Sequence, residues 1–306
     1  MQSARLAALA GISAVLSLSA CGGGGGTSGP GFANVTGSTA NVRFINGNTT
    51  TGSVDVYLQS TGSAAPSAKI FGPLAYGEAT DYMTEPAVAG TVIAQTAGGQ
   101  APSTGAKPLA SCNVPAFTSG SNYTIVFAAA SGVADNCLIF QDANYTGSPQ
   151  IRVHDASTNA ANAGNGSLGF GTIQSASAPA GTPFSVLVTA TLGQPAISNG
   201  APASYTLEQP TTITPPASGS LTFAVGANAA VGTTENALAT LDSRSIFTPG
   251  SFNQPNTTGA LNYPGSTGTS LFALDCTAAS ISSMPAGTNG VTCNGGVALF
   301  GYTDSH

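Results

Sequence analysis

The side chains with the most reactive chemistry in this 306-residue sequence are five cysteines and two histidines. Cys112, Cys137, Cys276 and Cys293 form an even set, which in an exported chain predicts disulfides. Four cysteines allow three connectivities. Cys112–Cys137 with Cys276–Cys293 is the favoured one, because each pair then closes within its own half of the chain. Each such loop would contribute about 3 kcal/mol in the loop-entropy picture. A zinc site is not expected, since there is no Cys-x-x-Cys and the histidines are His154 and the terminal His306. His154 stands beside Asp155, a pairing that with a serine would suit nucleophilic hydrolysis. Strand neighbours point to opposite faces, however, and no Gly-x-Ser-x-Gly occurs. The pair therefore reads as a strand-end histidine followed by a turn that Asp155 starts into Ala156 and Ser157. Gly164-Asn165-Gly166-Ser167-Leu168-Gly169 fits the dinucleotide fingerprint, but no helix follows it, so it reads as a loop. No acidic pair sits in a glycosidase or calcium motif. No catalytic residue, metal or cofactor is expected.

The fifth cysteine differs. Cys21 ends Leu18-Ser19-Ala20-Cys21 and precedes five glycines, Gly22 to Gly26. Upstream lie Arg5 and an apolar run from Leu6 to Leu18. A basic start, an apolar stretch and small residues before a cut site describe a secretory signal. As a helix the run would span about 20 Å, short of the roughly 30 Å hydrocarbon core of a bilayer. The segment fits a lipobox at every position, which predicts cleavage after Ala20 and lipid attachment, including palmitate, at Cys21. Residues 1–20 are then a signal peptide. Residues 21–38, rich in Gly, Ser and Thr, are a flexible tether spanning roughly 20–25 Å. The expected location is the cell envelope, anchored through the lipid. In a Gram-negative cell it is the outer membrane, because Gly22 lacks the aspartate associated with inner-membrane retention.

Only 6% of residues are charged, against about 25% in ordinary soluble proteins. The net charge of −6 is spread over twelve scattered acids and suits solubility. Six dispersed Lys and Arg residues make no basic patch, which excludes a nucleic-acid footprint. With 42% hydrophobic residues the chain is not a disordered composition.

These side chains must be carried by strands. Val54, Val56 and Leu58 alternate, as do Tyr123, Ile125 and Phe127. Phe184, Val186, Val188, Ala190 and Leu192 continue the pattern, followed by Leu221, Phe223 and Val225. Period two with β-branched and aromatic residues predicts half-buried strands. No amphipathic helix is expected after the signal. The halves echo each other. Val42-Arg43-Phe44 returns as Ile151-Arg152-Val153, and Tyr82–Pro86 as Tyr205–Pro210. Phe117-Thr118-Ser119-Gly120-Ser121 returns as Phe247-Thr248-Pro249-Gly250-Ser251. The order is kept and the offset grows, as in a tandem duplication whose second copy carries loop insertions. The expected modules are 39–147 and 148–306.

Arg43 and Arg152 recur at one place in both copies. In a chain this poor in charge each needs an acid, expected inside its own module. Asp55 or Asp81 is the candidate for Arg43. Asp55 and Tyr57 lie opposite Val54 and Val56, where they would suit a polar surface site; the structural reading is preferred, with Asp55 satisfying a loop backbone or pairing with Arg43.

Val42-Arg43-Phe44-Ile45-Asn46, Ser53-Val54-Asp55-Val56-Tyr57, Tyr76-Gly77 and Tyr82 resemble the bacterial domain-of-unknown-function family 4397. Ser121-Asn122-Tyr123-Thr124 is similar to its closing Gly-x-Tyr-Thr strand. The resemblance covers about residues 40–145 and weakens over 151–306, where Val-Asp-Val-Tyr gives way to Ser167-Leu168-Gly169-Phe170. It implies exported β-sandwich modules, often tandem and lipid-anchored, and transfers no catalytic residue.

The expected fold class is all-β: two tandem antiparallel, immunoglobulin-like β-sandwich modules behind the signal and tether. The expected role is that of a non-enzymatic envelope lipoprotein that binds or scaffolds. Its partners are the membrane through the lipid and an envelope protein or glycan. An adhesin or carbohydrate-binding protein predicts an exposed apolar or aromatic patch. A carbohydrate-active hydrolase predicts a cleft with two convergent carboxylates.

Overall fold

The computed structural model describes residues 37–304 except 51, 61–68, 88, 100–107, 115, 129–136, 148, 159–166, 176, 196–204, 206, 215–220, 228–229, 251–267, 286–287 and 289. Cys21, the signal and nearly all of the tether lie outside the described residues. So does the start of the Gly164–Gly169 stretch. Its end, expected in a loop, is instead strand, because Leu168 alternates with Phe170 into a core.

The fold is all-β. The first copy supplies β1 (Thr39–Gly47), β2 (Val54–Ser60), β3 (Lys69–Leu74), β4 (Met83–Pro86), β5 (Gly90–Thr96), β6 (Ala110–Val114), β7 (Asn122–Ala128) and β8 (Cys137–Asp142). They form two facing sheets, β8-β7-β1-β4 and β3-β2-β5-β6. Val42, Phe44, Val54, Val56, Tyr123, Ile125 and Phe127 fill the space between them.

The second copy supplies β9 (Gln150–Ala156), β10 (Ser167–Ile173), β11 (Pro183–Thr191), β12 (Gln194–Pro195), β13 (Leu207–Glu208), β14 (Thr211–Thr212) and β15 (Thr222–Ala227). It continues with β16 (Thr234–Asn236), β17 (Ala239–Asp242), β18 (Gly268–Asp275) and β19 (Val297–Asp304). Its sheets are β19-β18-β9-β14 and β16-β11-β10-β15-β17. With β12, β13 and β16 set aside, each sheet repeats the strand order of its counterpart. The duplication read from short echoes is thus written in the topology. Its registers agree: Arg43 lies opposite Thr124 as Arg152 lies opposite Ser270, and Asn122 opposite Asp142 as Gly268 opposite Asp304.

Two details depart from expectation. The pairs β1·β7 and β9·β18 are parallel, so these two sheets are mixed rather than wholly antiparallel. The echo of Tyr82–Pro86 is out of register. Strand β4 pairs with β1 as β14 pairs with β9, which puts Thr211, just beyond the echoed Tyr205–Pro210, in the place of Met83. Leu207–Glu208 pairs instead with β8 of the first sandwich, as does Gln194–Pro195.

The strands were expected to be half-buried, yet β7, β9 and β18 are buried throughout. The reason is a third core between the sandwiches. Ile45, Val126, Leu138 and Phe140 from one sheet meet Phe272, Leu274, Phe300 and Tyr302 from the other. Each of these sheets therefore has a core on both faces. Tyr76 reaches across, donating its hydroxyl to the Asp275 carbonyl at 2.6 Å, with its ring edge-on to Phe300. Gly77 follows with φ +75°, where a Cβ would collide with the Phe300 ring. Gly77→Ala combines left-handed strain with overpacking of this interface. It should lower stability by about 2 kcal/mol in urea unfolding.

Both favoured disulfides form. Cys112–Cys137 joins β6 to β8, bridging the two sheets of the first sandwich with Cα atoms 5.7 Å apart. Cys276–Cys293 ties the end of β18 to the segment leading into β19 at 5.8 Å. Between those cysteines lies the short helix α1 (Ala278–Ser282), held by a capping box of Thr277 and Ser280. Among the described residues no helix is long and apolar enough to cross a membrane.

Candidate functional site

The rare charges of this chain meet at the centre of the interface. Alternation on β1 sends Val42 and Phe44 into the first core and turns Arg43 outward. On β9 it sends Ile151 and Val153 into the second core and turns Arg152 outward. The outward faces oppose each other, so both guanidinium groups are wholly buried between the sandwiches. Asp142 ends β8 and Asp304 ends β19, and both are buried there as well.

Two cations and two anions share one site. Arg43 Nη1 donates to Asp304 Oδ2 at 3.1 Å, across the interface, and Arg43 Nη2 lies 3.8 Å from Asp142 Oδ2. Arg152 Nη2 donates to Asp304 Oδ2, and its Nε lies 3.5 Å from Asp142 Oδ1, again across the interface. Each arginine thus faces one acid of its own sandwich and one of the other. Hydroxyls complete the shell. Arg43 Nε donates to Thr124 Oγ1 at 3.0 Å, and both arginines donate to Ser270 Oγ, at 3.2 and 3.1 Å. Thr124 donates to Asp142 at 2.5 Å and Ser270 to Asp304 at 2.8 Å. The Tyr82 hydroxyl donates to Asp142 at 2.7 Å and accepts from Arg152 at 2.8 Å. The Arg43 guanidinium stacks over the Tyr82 and Phe272 rings, and Arg152 stacks over Tyr145. Stacking and forked donation are the properties that favour Arg over Lys here.

The electrostatics follow from burial opposed by pairing. Burial pushes the Asp142 carboxyl up, but Arg152, His154 and Arg43 together outweigh it and hold it well below the carboxylate range. Burial would lower both arginines, yet the neighbouring tyrosines and acids keep them raised and charged. Burial also pushes the Tyr82 and Tyr145 phenols up, so both remain neutral donors. The quartet is therefore electrically balanced.

His154 belongs to this site, and the reading of it as a strand-end residue is corrected. It is fully buried inside β9 because its face of the strand looks into the interface. Its Nε2 lies 2.7 Å from Asp142 Oδ1 and its Nδ1 3.2 Å from the Leu271 carbonyl. The ring stacks on Phe272 at 4.1 Å. Burial lowers its pKa, so the imidazole is neutral. Both ring nitrogens point at groups of the interface, the Asp142 carboxylate and the Leu271 carbonyl, so the ring is held within this site. The turn expected after it is present, with Ser157 N donating to Asp155 Oδ1 at 3.1 Å.

Asp55 takes one of the two structural roles expected of it, holding a loop backbone, and not the other. It does not meet Arg43, because β2 lies in the sheet on the far side of the first core. Asp55 instead accepts from Lys69 at 3.4 Å and from the Gly98 amide at 3.0 Å. The acids that matter, Asp142 and Asp304, were missed. A signal for them exists in the sequence: Phe140-Gln141-Asp142 and Tyr302-Thr303-Asp304 both place an aspartate two residues after an aromatic at the close of a copy.

Other chemistry is sparse. A cavity of about 10 Å³ in the first sandwich, scarcely room for one water, is lined by Val42, Phe44, Phe117 and other apolar groups, with Glu85 as its ionisable residue. It does not bring two carboxylates together. Among the described residues the large exposed hydrophobics are Leu207 and Val231. No group of His, Cys, Asp and Glu among the described residues is arranged to hold a metal.

The opening motif supplies Arg43 and Ile45 to this interface, and that pattern has a match. Residues 40–163 match the family described as domain of unknown function DUF4397. The DUF4397 match starts with β1 and ends just beyond β9, so it holds Arg43, Tyr82, Asp142, Arg152 and His154. In DUF4397 terms each motif piece has a structural task here. Val42 and Phe44 are core, Arg43 is interface, and Asn46 ties the Gly52 and Leu74 carbonyls at 3.2 and 3.0 Å. No curated protein matches the chain.

Proposed function

We propose that this chain is a lipid-anchored envelope protein whose paired sandwiches act as a rigid, non-enzymatic body for binding or scaffolding. The observation that carries this reading is Leu18-Ser19-Ala20-Cys21 followed by glycine, at the end of an apolar run too short to span a bilayer. Two further observations support it. Asp142, Asp304, Arg43, Arg152 and His154 are all buried and paired within the interface site. Two disulfides suit an oxidising compartment. In a Gram-negative cell the anchor lies in the outer membrane, with an envelope protein or glycan as partner.

The anchor is tested by metabolic labelling with a clickable palmitate. Wild type should take up label and Cys21→Ser should not. Equal labelling of the two would overturn the anchor.

A further inference from the structure

The end of β9 carries an acid where the first copy carries an amide. Asn46 on β1 and Asp155 on β9 hold equivalent places. The Asn48 amide donates to Asn46 Oδ1 at 3.1 Å, and the Ser157 amide donates to Asp155 Oδ1, also at 3.1 Å. The Gly77 amide donates to the Asn46 carbonyl at 2.7 Å, and the Gly193 amide to the Asp155 carbonyl at 2.9 Å. The copies differ at the remaining side-chain atom. Asn46 Nδ2 donates to the Gly52 and Leu74 carbonyls. Asp155 has Oδ2 in its place, and an ionised carboxylate only accepts. Leu74 pairs with Val54 as Ala190 pairs with Leu168, so the Ala190 carbonyl is the counterpart of the Leu74 carbonyl. An acceptor thus stands where the fold calls for a donor. Asp155 is wholly buried, and its Oδ2 has no hydrogen-bond partner.

A second carboxyl group lies beside it. Asp275 stands two residues past Ala273, which is opposite Asp155 in the parallel pair β9·β18. Alternation puts both acids on the face of the second core, in line with Val153 and Ala273. Ser157 Oγ donates to Asp275 Oδ1 and Thr158 Oγ1 to Asp275 Oδ2, each at 2.6 Å. The two acids therefore grip the same two residues of chain. Burial, opposed by the Ser157 amide and reinforced by the Asp275 charge, raises the Asp155 pKa to about 7. Thr158 is only half-buried, so solvent is close by. Positive charge is what this pair of acids lacks.

We propose that Asp155 and Asp275 hold a calcium ion at the shared end of β9 and β18. Calcium is a hard cation that takes about six to eight oxygens in flexible geometry. The two carboxylates balance its charge, and Asp155 Oδ2 gains the partner that Asn46 Nδ2 finds without a metal. The Ala190 carbonyl and the Ser157 and Thr158 hydroxyls supply neutral oxygens. No three of His, Cys, Asp and Glu gather to hold a metal among the described residues, so water completes the shell. Affinity should be modest, about 10⁻⁴–10⁻³ M, as in sites with few charged ligands. The acids come from two strands far apart in the chain, so no calcium motif marks them in the sequence.

The test is urea unfolding of the full chain in EDTA, in about 10 mM calcium chloride and in the same concentration of magnesium chloride. Calcium at about ten times its dissociation constant should raise the folding constant of wild type about tenfold over EDTA. Magnesium should do little, because it is smaller and gives up its water reluctantly. Asp155→Asn, which restores the amide of the first copy, should ignore calcium. Asp275→Asn, which keeps an oxygen for Ser157 to bond, should ignore it too. No response to calcium in wild type would overturn the proposal and leave Asp155 with a proton alone. A full response in either variant, or an equal response of wild type to magnesium, would overturn it as well.

Discussion

Arg152→Ala should cost about 3–5 kcal/mol of folding stability, the range for removing one partner from a buried ion pair. Arg152 is wholly buried, and it faces both Asp142 and Asp304. Its removal leaves two carboxylates against Arg43 alone, in a site from which water is excluded. The Ala143 carbonyl, the Tyr82 hydroxyl and Ser270 each lose a donor as well. The cost is that of stranded charge and unmet hydrogen bonds, more than that of a lost attraction. A paired change separates the two. Arg152→Met with Asp304→Asn removes one charge of each sign and restores balance. The double variant should be more stable than Arg152→Met alone by about 1–3 kcal/mol. Urea unfolding of the three variants checks this. A double variant less stable than both single ones by the full sum of their effects would mean that the charges do not act together.

The molecule should also be more stable at pH 5 than at pH 9, the second large effect. Burial raises Glu85 to about 7, Asp155 to about 7 and Glu208 to about 8. In the unfolded chain these carboxyls titrate near 4. Between those limits the folded state holds more protons than the unfolded state. Their stabilisation is complete below about pH 4 and is lost as pH rises through 7 to 8. Asp142 works in the opposite direction. Its lowered pKa contributes stability above pH 4 that is lost on further acidification. The two trends put the optimum in mild acid. A tenfold difference in proton affinity between the folded and unfolded states corresponds to about 1.4 kcal/mol, and relaxation of the ionised sites reduces the sum. A total loss on the order of 5 kcal/mol from pH 5 to pH 9 is expected. Thermal melts across this range check it, and a melting temperature that rises with pH would contradict it.

Much of the fold was legible because strands announce themselves by period two. Tyr123, Ile125 and Phe127 point one way, as read, and form part of the first core. What alternation cannot show is that the opposite face, with Thr124 and Val126, is also covered. A sheet buried on both faces by a second module looks from one strand like any other. The recurrence of Arg43 and Arg152 was legible too, as was their need for acids. An acid was expected within each copy, and each arginine does face one, Asp142 for Arg43 and Asp304 for Arg152, but Asp55, one of the two named candidates, is not it. The acids come instead from the last strand of each copy, and each serves both sandwiches. That sharing depends on how the two sheets face each other, which no local pattern records. The Tyr205–Pro210 echo misled for a related reason. Leu207 and Glu208 of that segment pair with β8 of the other sandwich, and a neighbouring pair of threonines takes the place of β4.

The central claim is that the quartet and the aromatic core around it make two duplicated sandwiches fold as one unit. Differential scanning calorimetry of the intact, oxidised chain at pH 6 tests it most directly. The account predicts a single transition whose calorimetric and van't Hoff enthalpies agree. Two resolved transitions, one for each sandwich, would contradict it.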